Sequence, residues 1–295
     1  MYMFGAIEAG GTKFVCAVGT GPENILSEIR FPTTTPNETL QKCMAFFQEQ
    51  SKIYTLGAIG IACFGPINLD QKSPTYGYIT STPKPGWQNT SMVKFFQNTL
   101  QIPVAFDTDV NAAALAESYW GAGQGFDPLL YLTIGTGIGG GGIVNGSPLH
   151  GLLHPEMGHI SIPHDWQADP FPGNCPFHGD CFEGLASGPA MKQRWGKPAE
   201  TLPDNHPAWF LEANYIARAL ANLIYVVSPR RIILGGGVMQ NLALFPLIHT
   251  EVQKSLNQYI QSPAILENVE TYIVPPALGN RAGILGALAL AMSIR

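Results

Sequence analysis

Leu129-Leu130-Tyr131-Leu132-Thr133-Ile134-Gly135-Thr136-Gly137-Ile138-Gly139-Gly140-Gly141-Gly142-Ile143-Val144 is the stretch on which the fold turns. The apolar run Leu129–Ile134 reads as a buried strand, and the glycines behind it break that strand. Gly135–Gly140 matches the G-x-G-x-x-G pattern of dinucleotide-binding folds. That pattern works only where a helix follows, because the helix N-terminus receives the pyrophosphate. Here Gly141–Val144 resumes extended chain, and glycines are poor helix starters. The stretch therefore predicts strand, glycine turn, returning strand.

The same arrangement opens the chain. Met3–Ala9 is a short apolar run, Gly10-Gly11-Thr12 interrupts it, and Phe14–Val18 resumes after a gap too short for a crossover helix. A third glycine loop, Gly235-Gly236-Gly237, follows the strand Arg231–Leu234. Bare backbone amides at such turns can cradle phosphate oxygens; ordinary hairpin turns are the plain alternative. No Gly-Lys-Ser/Thr stands at P-loop spacing, so a nucleotide site here is neither Rossmann nor P-loop in type. Between the loops, helical spacing over Asn37–Gln50, Val110–Trp120, Trp209–Val227 and Gly283–Met292 alternates with short strands. Among those strands are Leu56–Phe64 and Val104–Phe106. This order implies an α/β protein of two layered halves, divided at the glycine-rich Gly121–Gly125. The expected division is a smaller half over 1–120, rejoined by a final helix at about 280–295, and a larger half over 121–279.

Composition narrows the function classes. The chain has 295 residues, 45% of them hydrophobic, 33 glycines and only 13% charged residues, so packed cores are expected and disorder is not. With a net charge of −5 and no Lys/Arg run, no nucleic-acid partner is expected. Neither a signal peptide nor an apolar stretch long enough to span a bilayer is legible, so no membrane partner is expected. Five cysteines, an odd count, suit a reducing cytoplasm better than a disulfide framework.

A metal cluster is the most specific local signal. Cys175-Pro176-Phe177-His178-Gly179-Asp180-Cys181 supplies three soft or borderline ligands, and His159 can supply a fourth. Two thiolates and two imidazoles suit tetrahedral Zn²⁺; free core thiols are the bland alternative. A zinc hydrolase built on His154 and His159 is disfavoured. The H-E-x-x-H motif needs histidines four apart on one helix, whereas these are five apart with Pro155 and Gly158 between them. Four protein ligands also leave no position for an activated water, so the zinc should be structural.

Taken together, strand–GGT–strand, GTGIGGG and LGGG resemble the phosphate and adenosine loops of actin-like sugar kinases. Within these, nearly the whole chain resembles the ROK family, most closely its fructokinase branch, where a histidine such as His178 replaces one of the usual cysteines. The fold this implies is α/β, two ribonuclease-H-like/actin-like ATPase domains with a cleft between them and a hinge near Gly279. The activity implied is ATP- and Mg²⁺-dependent phosphorylation of a hexose, D-fructose to D-fructose 6-phosphate. A glucose, mannose or N-acetylhexosamine kinase and a non-catalytic sugar sensor are the alternatives. The family's DNA-binding repressors carry an N-terminal helix-turn-helix, whereas this chain enters its first strand within a few residues of Met1.

By the same resemblance Asp109 is the general base, although an Asp at this place also reads as a cap of the following helix. Thr108 stands where the family usually has Asn. Glu8 would orient water on Mg²⁺, and Gly10, Gly11, Thr12, Thr136, Gly137 and Gly139 would hold phosphates. Lys13 would add charge beside them or remain a solvated turn residue. Gly235, Gly236 and Gly237 would lie against adenosine. Gly65 and Pro66 would form a turn beside the sugar, and Glu156, Glu183 and His159 would contact its hydroxyls. A homodimer is implied by the resemblance alone.

Overall fold

The computed structural model describes residues 2–294; Met1 and Arg295, the outer ends of the expected halves, lie outside the described residues. In chain order the main elements begin with β1 (Met3–Ala9), β2 (Lys13–Gly21), β3 (Asn24–Pro32), α1 (Pro36–Ser51) and β4 (Leu56–Cys63). They continue with α2 (Val93–Leu100), β5 (Val104–Thr108), α3 (Asp109–Trp120), β6 (Leu129–Ile134) and β7 (Ile138–Val144). Then come α4 (Phe182–Ala186), α5 (Gly188–Trp195), α6 (Ala208–Val227) and β8 (Arg231–Gly235). The last three are α7 (Leu244–Leu256), β9 (Ile273–Val274) and α8 (Ala282–Ser293). They fall into two compact units, one of residues 2–124, 147–155 and 278–294, the other of residues 125–146 and 156–277.

In the first unit the strands lie in the order β3-β2-β1-β4-β5. β1 pairs antiparallel with β2, placing Glu8 opposite Val15, while β1 with β4 and β4 with β5 run parallel. Helix α1 starts where Thr35 accepts a hydrogen bond from the Glu38 N–H and Pro36 enters the first turn. It buries Leu40, Cys43, Met44 and Phe47, a stripe at helical spacing. Phe47 meets Phe96 edge to face at 6.4 Å, and the fully buried Trp87 donates Nε1–H to the Thr34 carbonyl at 2.9 Å.

Helix α8 packs on α3, β4 and β1. Its alanines and glycines permit backbone-to-backbone approach. A methyl on Gly286 would strike the Ala112 carbonyl group of α3, and one on Gly60 of β4 would strike the Ala287 carbonyl of α8.

The second unit has the strand order β7-β6-β8-β9, with β6 and β7 antiparallel and β6, β8 and β9 parallel. Each unit thus repeats a hairpin followed by two parallel strands, although the sequence shows no periodic repeat.

Two expectations are corrected. The returning strand begins at Ile138, not Gly141, and Gly139 pairs with Thr133 inside the ladder. Met157 packs over this glycine-lined strand, against Gly140, where a side chain would not fit. Gly139 is therefore a strand residue, and the loop is confined to Gly135-Thr136-Gly137. Residues 147–155, expected in the larger half, group with the first unit. Long-range hydrogen bonds hold them there: the His150 and Asp107 side chains meet at 2.8 Å, and the Ile67 N–H donates to His154 Nε2 at 3.2 Å. Further along, Val269–Tyr272 is helical, and α7 ends at Leu256, where Asn257 adopts a left-handed conformation.

Candidate active site

The junction of β5 and α3 carries the candidate base. Thr108 is the N-cap of α3: its Oγ1 accepts from the Asn111 N–H at 3.1 Å. Asp109 is therefore not the residue whose side chain caps the helix; it is the first helical residue, half-buried, its Oδ1 2.9 Å from the Val110 N–H. Asp107, two residues earlier, is almost wholly buried and accepts three hydrogen bonds. The donors are the Thr108 N–H at 2.7 Å, Asn111 Nδ2 at 2.9 Å and His150 Nε2 at 2.8 Å. The bond to Asp107 raises the His150 pKa, against a smaller opposing effect of burial. Sequence reading missed His150, because its partner lies 43 residues away and no short motif joins them.

In the β1–β2 turn the Gly10 N–H is used within the turn, donating to the Lys13 carbonyl at 3.0 Å. Thr33 tethers the turn by donating to the Gly10 carbonyl at 2.7 Å. Glu8 ends β1 half-buried. Burial raises its pKa, and the positive charges of Lys13 and Arg30 and a hydrogen bond from the Ile284 N–H hold it down in part. Gly65-Pro66 forms a turn packed on the His154 ring.

In the second unit the Gly135-Thr136-Gly137 turn is closed by a hydrogen bond from the Gly135 N–H to the Gly137 carbonyl at 2.9 Å. The first residue of α5 holds it from outside, the Gly188 N–H donating to the Gly135 carbonyl at 2.8 Å. Glu183 in α4 accepts from the Ile138 N–H at 2.8 Å. Gly236 has φ +95°, and any side chain there would strike the Ile134 backbone, so that position requires glycine. A pocket of about 730 Å³ opens beside these turns, lined by Thr136, Gly237, Pro189, Lys192 and Glu200 among others. Lys192 and Glu200 carried no sequence signal, being isolated charges in unremarkable contexts.

The four candidate metal ligands converge. One donor atom from each of His159, Cys175, His178 and Cys181 lies within 4.8 Å of the others. Cys175 Sγ is 3.8 Å from His159 Nδ1 and 3.6 Å from His178 Nδ1, and Cys181 Sγ is 3.7 Å from His159 Nδ1. Metal–sulfur bonds near 2.3 Å and metal–nitrogen bonds near 2.0–2.1 Å in a tetrahedron require S···N edges of roughly 3.5 Å, so the donor set fits a four-coordinate cation. Burial pushes the Cys181 thiol up to about 11, a proton that a cation at this place would displace. The cluster sits where a short helical turn, Met157–His159, meets the start of α4, so a cation held there would tie the two ends of the loop between them together.

The profile of the ROK family matches residues 4–294. The chain belongs to the ROK family. It is 52% identical over 289 residues to a Bacillus subtilis protein, covering 98% of this chain and 95% of that one. It is 46% identical over 299 residues to the fructokinase of Zymomonas mobilis, with 99% and 97% covered. Among solved structures, a ROK family glucokinase from Streptomyces griseus in complex with glucose and AMPPNP superposes with a TM-score of 0.75. The identity there is 25%, with 99% of each chain covered. The ROK fold is thus shared over the full length: two units, each a sheet with helices. No helix among the described residues is long and apolar enough to cross a membrane.

Proposed function

We propose that this ROK protein is a fructokinase, transferring the γ-phosphoryl group of ATP to D-fructose to give D-fructose 6-phosphate and ADP. The Zymomonas mobilis relative, a fructokinase 46% identical over nearly all of both chains, supports the choice of sugar. The observation that carries the chemistry is the division of labour at the head of α3: Thr108 makes the cap, so the Asp109 carboxylate is not consumed by it.

Phosphoryl transfer to an alcohol needs alignment, a proton acceptor and charge neutralisation. In this reading the Asp109 carboxylate takes the proton of the sugar hydroxyl as its oxygen bonds to phosphorus and the bond to ADP breaks. The buried Asp107, tied to the Thr108 and Asn111 backbone and side chain, fixes the junction that presents Asp109. In the same reading Gly11, Thr12, Thr136 and Gly137 are assigned to the phosphates, Lys13 to added positive charge and Gly235–Gly237 to the nucleoside; of these, Thr136 and Gly237 line the pocket of about 730 Å³. Glu156, Glu183 and His159 contribute to the sugar site, with Gly65 and Pro66. Mg²⁺ would neutralise triphosphate charge when bound, and Glu8, an acid at the mouth of the β1–β2 turn, fits a role in holding its water. The His159–Cys175–His178–Cys181 set is assigned to a structural Zn²⁺, all four positions being protein donors. The enzyme is read as a cytoplasmic homodimer.

The test is ADP release with Mg²⁺-ATP across fructose, mannose, glucose and N-acetylhexosamines. Preferential turnover of fructose is expected; no turnover with any hexose would overturn the reading.

A further inference from the structure

Glu183 was expected to spend its carboxylate on sugar hydroxyls, yet one of its oxygens is engaged elsewhere. Oε2 accepts from the Ile138 N–H at 2.8 Å, the amide that follows the Gly135-Thr136-Gly137 turn. A methyl group on Gly137 would lie 2.7 Å from that same oxygen. The need for glycine at 137 is therefore set by the approach of this carboxylate as well as by any approach of phosphate.

We infer that Glu183 is a positioning residue for the nucleotide, clamping the Gly135–Ile138 turn in its phosphate-receiving shape. The inference rests on the reading of this turn as a triphosphate loop. The turn is closed internally by one hydrogen bond, from Gly135 to Gly137, and glycine otherwise leaves its backbone many accessible conformations. Two outside contacts remove that freedom: Glu183 holds the end of the turn at Ile138, and the Gly188 N–H holds its start at the Gly135 carbonyl. Both come from one short stretch, 183–188. That stretch begins two residues after Cys181, whose sulfur lies 3.7 Å from His159 Nδ1 in the candidate metal cluster. The clamp thus begins beside that cluster. A charge-assisted bond to a backbone amide is among the stronger hydrogen bonds, and an ordered loop binds its ligand without the cost of ordering it.

The experiment is binding of Mg²⁺-ADP by titration calorimetry in the absence of any sugar, so that a sugar-contact role cannot move the result. Glu183→Ala is expected to weaken ADP binding roughly tenfold or more. Glu183→Gln, whose amide oxygen can still accept from Ile138, is expected to stay within about threefold of wild type. Gly137→Ala is the reciprocal variant. The clashing atom is the end of a flexible side chain, so the carboxylate swings away and the fold survives while the clamp is lost. Its effect should match that of Glu183→Ala, and the double variant should be no worse than either single. Wild-type affinity retained in both Glu183→Ala and Gly137→Ala would overturn the inference. Failure of the wild-type chain to bind ADP would instead overturn the kinase reading on which it rests.

Discussion

Replacing Asp109 by Asn separates the two uses an acidic residue can have at the start of a helix. Asn keeps the size and a carbonyl oxygen able to accept from Val110, now 2.9 Å from Oδ1, but it cannot take a proton from an alcohol. General-base assistance is worth about 10²–10⁴-fold, or roughly 3–5 kcal/mol of barrier at 1.36 kcal/mol per tenfold. The structural cost is much smaller. The capping bond belongs to Thr108, so the substitution loses only a negative charge in the first turn, about 0.3–1 kcal/mol. Thr108→Ala should show the opposite profile: it removes the cap for about 1 kcal/mol, near 2–4 °C in a unit of this size. The assays are fructose-dependent ADP release and thermal unfolding on the same preparations. Turnover of Asp109→Asn within tenfold of wild type in a folded protein would refute the assignment of the base. A larger loss of Tm in Asp109→Asn than in Thr108→Ala would refute the assignment of the cap.

Three further outcomes are expected. Gly286→Ala drives a methyl into the Ala112 backbone of α3, which cannot rotate aside, so Tm should fall by roughly 2–10 °C; a rise, as helix propensity alone would give, would show that α8 has room to shift. Metal analysis should find about one zinc per chain, and chelation should cost at least about 3 kcal/mol, lowering Tm by roughly 6–12 °C. Cys181→Ser should lose most of that response, and an unchanged Tm on chelating the wild type would contradict the structural role. The third concerns pH. Asp107 raises the folded-state pKa of His150 above its ordinary 6.5, so the stabilisation from this pair is fully present below that value and disappears as pH rises through the raised one. The stability gap between wild type and His150→Gln should therefore be widest in mild acid and close as pH rises; a gap that widens with pH would reverse the assignment.

What could be read in the sequence was local. The hairpins around Gly10–Thr12 and Gly135–Gly137 were legible because an apolar run, a glycine break and a second apolar run need no distant partner to be interpreted. The Cys175–Cys181 spacing was legible for the same reason, and His159 joins it across only 16 residues. Asp109 could be found, but not freed from its alternative role, until the Thr108 hydroxyl was seen on the Asn111 amide. The failures were all long-range. Gly139 and Gly140 look like loop until Met157 is seen packed over the strand they join, and whether glycine sits in a strand depends on what covers the strand. Residues 147–155, with Leu152 and Leu153 exposed, have no pattern of their own, and their place is decided by His150 and His154 reaching Asp107 and Ile67. The repeated hairpin-plus-parallel-pair topology left no sequence period, because sheet register constrains the apolar pattern and not residue identity.

Helix α8 has a consequence for how the protein is made. The first sheet and α3 are synthesised by residue 120, yet the helix that covers them spans residues 282–293. At ordinary synthesis speeds of about 5–20 residues per second, the rest of the chain takes on the order of 10–30 s to follow. Until then the surface at Gly60 and Ala112 lacks the helix that packs on it in the folded chain. The second unit, residues 125–146 and 156–277, is fully synthesised before α8 is. The half whose synthesis begins first is thus complete only once its last helix has been made.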